Sequence, residues 1–167
     1  MPDTPRSSSK TDENTPAQSI LRSLDINSRI TLYLLDGIDD RAWRAEPPGG
    51  KGRDIASIFA HIHGVRLMWL KAASGAALPM PLEKDSCSIA QTHKALEESA
   101  LAVRKMLETA LNGGGRVKNF KPDATAFVGY LIAHEAHHRG QISLLARLAG
   151  FPVPKAVNFG MWEWGVR

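Results

Sequence analysis

With 167 residues, 43% apolar and 23% charged, the chain is long enough for one domain with a sizeable core and a tail. Its net charge of +4 and pI near 9.4 come from scattered Arg and Lys, without dense runs or interleaved aromatics, which describes a solvated surface and disfavours nucleic-acid binding. No apolar run approaches the ~20 residues of a membrane span. The first residues lack a secretory h-region, and the single cysteine, Cys87, excludes an internal disulfide framework, so a cytoplasmic protein is expected.

Residues 1–15 are rich in Ser, Thr, Pro, Asp and Lys and are expected to form a disordered tail. Residues 16–167 are expected to form one domain. Ile20, Leu21, Leu24, Ile30, Leu34 and Leu35 give a helical stripe that ends before Gly37. The PPGGKG segment that follows reads as a loop. A second long helix is predicted over Asp54–Ala73, with Asp54 as its cap and a stripe of Ile55, Ile58, Ile62, Val65 and Trp69. Residues 74–87 read as a loop. A third long helix fits Ser88–Leu111 and stops at NGGG, 112–115. Asp123 or Thr125 opens the fourth, whose main stretch is Phe127–Ala149, closed by Gly150, Pro152 and Pro154. The aromatic tail VNFGMWEWGVR is expected to pack across one end. Four long helices without strand alternation predict an all-α four-helix bundle. The long connections after the first two leave room for a crossover.

Five of the six histidines lie in two of these helices. His134 and His138 fall near the middle of the apolar stripe of the fourth, one turn apart, where two imidazoles can aim at one point. A buried unsatisfied polar group costs ~1–3 kcal/mol, so each ring needs a partner. A shared metal ion meets that need, and a pair of hydrogen bonds is the alternative. His61 is the better interior candidate on the second long helix, and with the pair it makes a three-histidine site with an open coordination position. His63 is placed on the opposite flank, exposed or at an interface, and His93 is placed facing solvent. His137 lies beside the pair, either supporting a ligand or at the rim. The fragment His134-Glu135-Ala136-His137-His138 also matches H-E-x-x-H, the metalloprotease motif. No downstream third ligand or sheet edge supports that reading, and Glu135 is expected to face solvent. Arg66, Tyr130, Arg139 and Gln141 are further candidates for contacts to the ligands or to a substrate. Trp162 and Trp164 are placed at the mouth of the site or in the packing.

The segments IFAHIHGVRLMWL (58–70) and HEAHHRGQISLLARLAG (134–150) together resemble the DinB superfamily, the YfiT-like metal-dependent hydrolases. Carried over by motif, His61, His134 and His138 match that family's metal triad. The resemblance implies a four-helix bundle with long crossover connections, often a homodimer, holding a divalent metal, commonly nickel or zinc. Relatives in the wider superfamily include low-molecular-weight thiol S-transferases and a mycothiol-dependent isomerase. The expected function is therefore a metal-dependent thiol S-transferase or hydrolase acting on a low-molecular-weight thiol or another small molecule. The alternative is a non-catalytic, metal-binding stress-response dimer.

Overall fold

Thr15 opens the first helix in the computed structural model, which describes residues 15–73 and 78–167. Its hydroxyl accepts a hydrogen bond from Gln18 N at 3.2 Å, and Pro16 takes the first helical position, where its missing N–H costs nothing. Apart from Thr15, the tail expected over residues 1–15 lies outside the described residues. Helix α1 runs Pro16–Asp36, and the short α2 spans Asp40–Trp43. A single 3-10 turn, Pro48–Gly50, forms within the loop read from PPGGKG. Helix α3 spans Ile55–Ala73, with the Asp54 carboxylate accepting from Ser57 N at 2.7 Å. Helix α4 spans Ile89–Asn112 and opens with a reciprocal capping box between Ser88 and Gln91. Helix α5 spans Ala124–Leu148, capped by Asp123, and α6 spans Lys155–Gly160. No strand occurs among the described residues, so the fold is all-α.

The four long helices do not follow up-down-up-down order. Helix α1 packs mainly on α4 and α5, and α3 packs on the same two, so chain neighbours α1 and α3 stand diagonally opposite. Two apolar layers fix the directions. One joins Leu34 and Leu35 at the end of α1 to Ile55 and Ile58 at the start of α3, Leu96 early in α4, and Ile142 late in α5. The other joins Leu21 and Leu24 to Leu70, Leu107 and Phe127. Helices α3 and α4 therefore run the same way, opposite to α1 and α5. The connection from α3 to α4 must return along the bundle. That is the crossover the long loop allowed.

His63 corrects the sequence reading. It is fully buried, and its Nε2 lies 2.9 Å from the Met80 carbonyl, pinning that returning segment to α3. The buried face of α3 includes Phe59, Ile62 and Arg66. A wheel that counts Arg66 as polar turns this face away from His63. Cys87 is buried as well. Its carbonyl accepts from Trp43 Nε1 and Arg44 Nη2, both at 3.0 Å. His93 is only one-third exposed, set between Asp36 at 3.6 Å and Glu97 at 3.2 Å.

The C-terminal segment packs back on α1. Arg167 stacks over the Tyr33 ring with its guanidinium carbon 3.6 Å from the centroid, and Arg29 Nη2 donates to the Arg167 carbonyl at 2.8 Å. Gly37, just past α1, lets α6 approach: a Cβ there would stand 2.8 and 2.9 Å from the two Val157 methyls. Gly37→Ala is therefore expected to cost about 1–3 kcal/mol through overpacking. Val157→Ala in the same chain should recover part of that loss in urea unfolding. Equal stability of wild type and Gly37→Ala would show that α6 is not held by this contact.

Candidate metal centre

Between the apolar layers every long helix contributes a buried polar side chain: Asn27 and Thr31 from α1, Arg66 from α3, Ser99 from α4, Glu135 and Arg139 from α5. Glu135 is the hub. Arg66 grips both carboxylate oxygens, Nε to Oε1 at 2.8 Å and Nη2 to Oε2 at 2.9 Å, a bidentate geometry. Asn27 Nδ2 and Thr31 Oγ1 donate to Oε2 at 2.8 and 3.0 Å. Arg66 Nη1 donates to the Leu96 carbonyl at 2.9 Å. Burial by itself would push the Glu135 carboxyl up, but Arg66, with smaller help from Arg139 and Thr31, holds it below the usual carboxylate range. Glu135 is thus neither solvent-facing, as the wheel suggested, nor free to act as the base of an H-E-x-x-H protease, since its oxygens are already taken.

One position earlier on α5, His134 turns the other way. The spacing of His134 and His138 stacks their rings on one face of the helix. Helix α3 lies alongside and supplies His61. The three side chains meet through Nε2: His134 to His138 at 3.1 Å, and His134 to His61 at 3.4 Å. Ligand nitrogens at ~2.0–2.1 Å from a tetrahedral zinc are about 3.3 Å apart, so these two separations are compatible with a shared ion. Hydrogen bonds among the rings alone serve the cluster less well, because one proton on His134 Nε2 can reach only one of its two neighbours.

The outer nitrogen of His138 has a partner that suits one tautomer. Nδ1 lies 2.8 Å from Gln141 Oε1; with that oxygen as acceptor, Nδ1 carries the proton and Nε2 presents a lone pair. Burial depresses the pKa of all three rings, keeping them neutral as metal ligation requires. His61 is pushed down to about 4 by burial first and then by the charge of Arg53 and by His138 and His134. Arg53, exposed just before α3, was not singled out in the sequence; a lone Arg next to a helix start carries no distinctive signal.

His61 and His134 are half-buried and His138 is buried, so the cluster opens on one side. Tyr130 stacks on His134 with centroids 6.1 Å apart, and Trp69 Nε1 lies 3.4 Å from the Tyr130 hydroxyl. His137 is exposed and stands edge-on to His138, centroids 5.0 Å apart. Of the five supporting candidates, then, Tyr130, His137 and Gln141 border the histidines. The hydrogen bonds of Arg66 and Arg139 go instead to the buried cluster. Trp162 and Trp164 lie elsewhere, lining a groove with Ala136, Gly140 and Ser143 on the opposite face of α5.

The family model described as the DinB family matches residues 9–164 of this sequence. The chain belongs to the DinB family. A comparison with curated proteins returned no match. DinB membership agrees with the all-helical bundle, and the converged histidines give this DinB chain a site compatible with one metal ion. No helix among the described residues is long and apolar enough to cross a membrane.

Proposed function

We propose that His61, His134 and His138 hold one divalent metal, zinc or nickel, and that the protein is a metal-dependent thiol S-transferase or hydrolase. The observation that carries this reading is the convergence of three neutral imidazoles at metal-ligand separations beside an open face. A divalent ion supplies Lewis acidity, lowering the pKa of a thiol or water in the position the protein leaves open. The chain's own residues do the rest. Gln141 fixes the His138 tautomer. Tyr130, whose hydroxyl accepts from Trp69 Nε1, would be free to donate a hydrogen bond to a substrate. His137, exposed beside His138, would be placed to receive a proton released at the open face. A low-molecular-weight thiol or another small molecule is the proposed substrate, and a cytoplasmic homodimer the proposed state.

Elemental analysis of untagged protein should find about one divalent ion per chain. A His61/His134/His138 triple-alanine variant that carries the same metal content would defeat the reading. Turnover of a thiol–electrophile pair by metal-loaded protein, lost in His138→Ala, separates the enzyme from a non-catalytic metal-binding protein. Thiol binding without turnover across a broad electrophile panel would favour the latter.

The depressed imidazole pKa values give a second check. Three rings of ordinary pKa share ~0.7 proton at pH 7, and binding metal would release it. Here burial lowers the pKa of all three rings, so they hold fewer protons before metal binds. Calorimetry in two buffers of different ionisation enthalpy is expected to find proton release well short of that amount at pH 7. Release near ~0.7 would show ordinary, solvated rings. The same sign governs the metal-free fold: groups neutral when folded contribute stability above pH ~6.5, and that contribution falls away as the pH drops toward 4.

A further inference from the structure

The buried cluster around Glu135 does not balance its charge. Arg66 occupies both oxygens of the carboxylate. Arg139 stands 3.9 Å from the same group, and its single hydrogen bond among the described residues runs from Nη1 to Thr31 Oγ1 at 2.9 Å. Two guanidinium groups against one carboxylate leave one positive charge in excess. Arg139 is only 9% exposed, and burial acts against its charged form, opposed by Glu135. A guanidinium does not shed its proton to escape that cost. Its Nε–H and Nη2–H edge, a two-pronged donor matched to a carboxylate, has no protein acceptor among the described residues.

Arg139 forms part of the wall of a groove of about 570 Å³ between the outer face of α5 and the C-terminal segment. That size is in the range of small-molecule sites. Its other walls are mostly apolar, including Ile30, Ile132, Phe159, Trp162 and Trp164. Phe159 is 63% and Trp162 80% exposed, an unusual amount of aromatic surface to leave in water. The nearby acid, Glu163, is paired with Arg167 at 3.3 Å and does not answer Arg139. On α5 the groove-lining positions 136, 140 and 143 are turned roughly 140–180° from the middle of the His134–His138 face, so this is a separate site.

We propose that this groove binds an amphipathic monoanion, a carboxylate on an apolar or aromatic body. The carboxylate pairs with the open edge of Arg139, and the body lies against Trp162, Trp164 and Phe159. Charge complementarity selects this class: a neutral ligand leaves the buried cation unanswered, and a cationic one repels it.

Tryptophan fluorescence of the full chain, titrated with decanoate, decanol and decyltrimethylammonium, tests it. Decanoate should bind saturably and at least tenfold more tightly than the other two. Arg139→Met should weaken decanoate about tenfold and leave decanol unchanged. Because Arg139 also belongs to the core, Gly140→Phe provides an independent variant. A Cβ at Gly140 meets nothing within 4 Å, and glycine is a poor helix former, so a side chain can leave the helix there and enter the groove. It should abolish decanoate binding. His138→Ala should bind decanoate like wild type, so failure of the metal reading leaves this result intact. Equal affinity for decanoate and decanol, no saturable binding below millimolar concentration, or unchanged binding in Gly140→Phe would each overturn the proposal. So would conversion of a dimer to a monomer by Gly140→Phe with no decanoate binding in the wild type, which would make the groove an interface between copies.

Discussion

Arg66→Met is expected to lower the unfolding free energy by about 3–5 kcal/mol, the largest single stability effect in this molecule. The reason is what the change leaves behind. Glu135 is 1% exposed and loses both guanidinium hydrogen bonds, while Asn27 and Thr31 can each satisfy only one lone pair. Arg139, at 3.9 Å, is too distant to replace them without moving. An orphaned buried carboxylate either stays charged at high cost or takes a proton, so the variant should also lose the pH behaviour of the native pair. In the wild type the Glu135 pKa is lowered, so its contribution is present above about pH 4.5 and lost as pH falls below that. In Arg66→Met the carboxyl is expected to titrate upward, and the variant should gain relative stability on mild acidification. Glu135→Leu should be severe for the mirror reason, since two buried cations then face no anion.

The double variant Arg66→Met/Glu135→Leu removes both partners and should be less destabilised than the sum of the singles by about 2 kcal/mol or more. Urea unfolding followed by circular dichroism measures all four corners of the cycle. A loss below about 1 kcal/mol for Arg66→Met would mean that water or Arg139 already reaches Glu135. The network also bears on the histidines. Arg66 lies five residues beyond His61, and Glu135 immediately follows His134, so the ion pair clamps α3 and α5 beside the triad. Each helix carries one outward-turned histidine face and one inward-turned charged group.

The helices and the triad were legible in the sequence because both depend on local spacing. The stripe ending at Leu35, the Asp54 cap, the helix starts read at Ser88 and at Asp123 or Thr125, and the NGGG stop each act within a few residues, and the observed helices begin and end near them. His134 and His138 needed only the helical repeat, and His61 needed one neighbouring helix. The buried network was not legible in the same way. Arg66 and Glu135 are 69 positions apart, and each taken alone is a charged residue that a wheel assigns to water. Their true signal was the placement of Asn27 and Thr31, one turn apart, among the core leucines of α1: polar groups at inward positions require polar partners. His63 was misplaced for the same reason, because the buried face of α3 is set partly by Arg66. Trp162 and Trp164 follow the path of a tail folded back over α1, which no periodicity reports. Only the assembled bundle shows that path.

His138→Ala is expected to lower metal affinity by at least about 100-fold, and Gln141→Leu by about 10- to 100-fold. The two act through the same imidazole. His138 is the most buried of the three histidines and stands 3.1 Å from His134, so its removal leaves two donors where three converged. Gln141 makes no contact of its own with the point where the three Nε2 atoms meet. It holds the proton on His138 Nδ1 at 2.8 Å and thereby keeps Nε2 free as a donor. Without it the ring can turn or adopt the other tautomer, and part of the binding energy is spent restoring the competent form. Gln141 is exposed, so its loss should barely change unfolding in urea, whereas a general loosening of α5 would change both readouts. Competition with a chromophoric chelator gives the affinities, with the order wild type above Gln141→Leu above His138→Ala. Wild-type affinity in Gln141→Leu would remove its role in holding the tautomer. Wild-type affinity and stoichiometry in His138→Ala would remove the triad itself, because no nearby residue replaces that donor: His137 projects to the exposed side, and Glu135 is held in the core by Arg66.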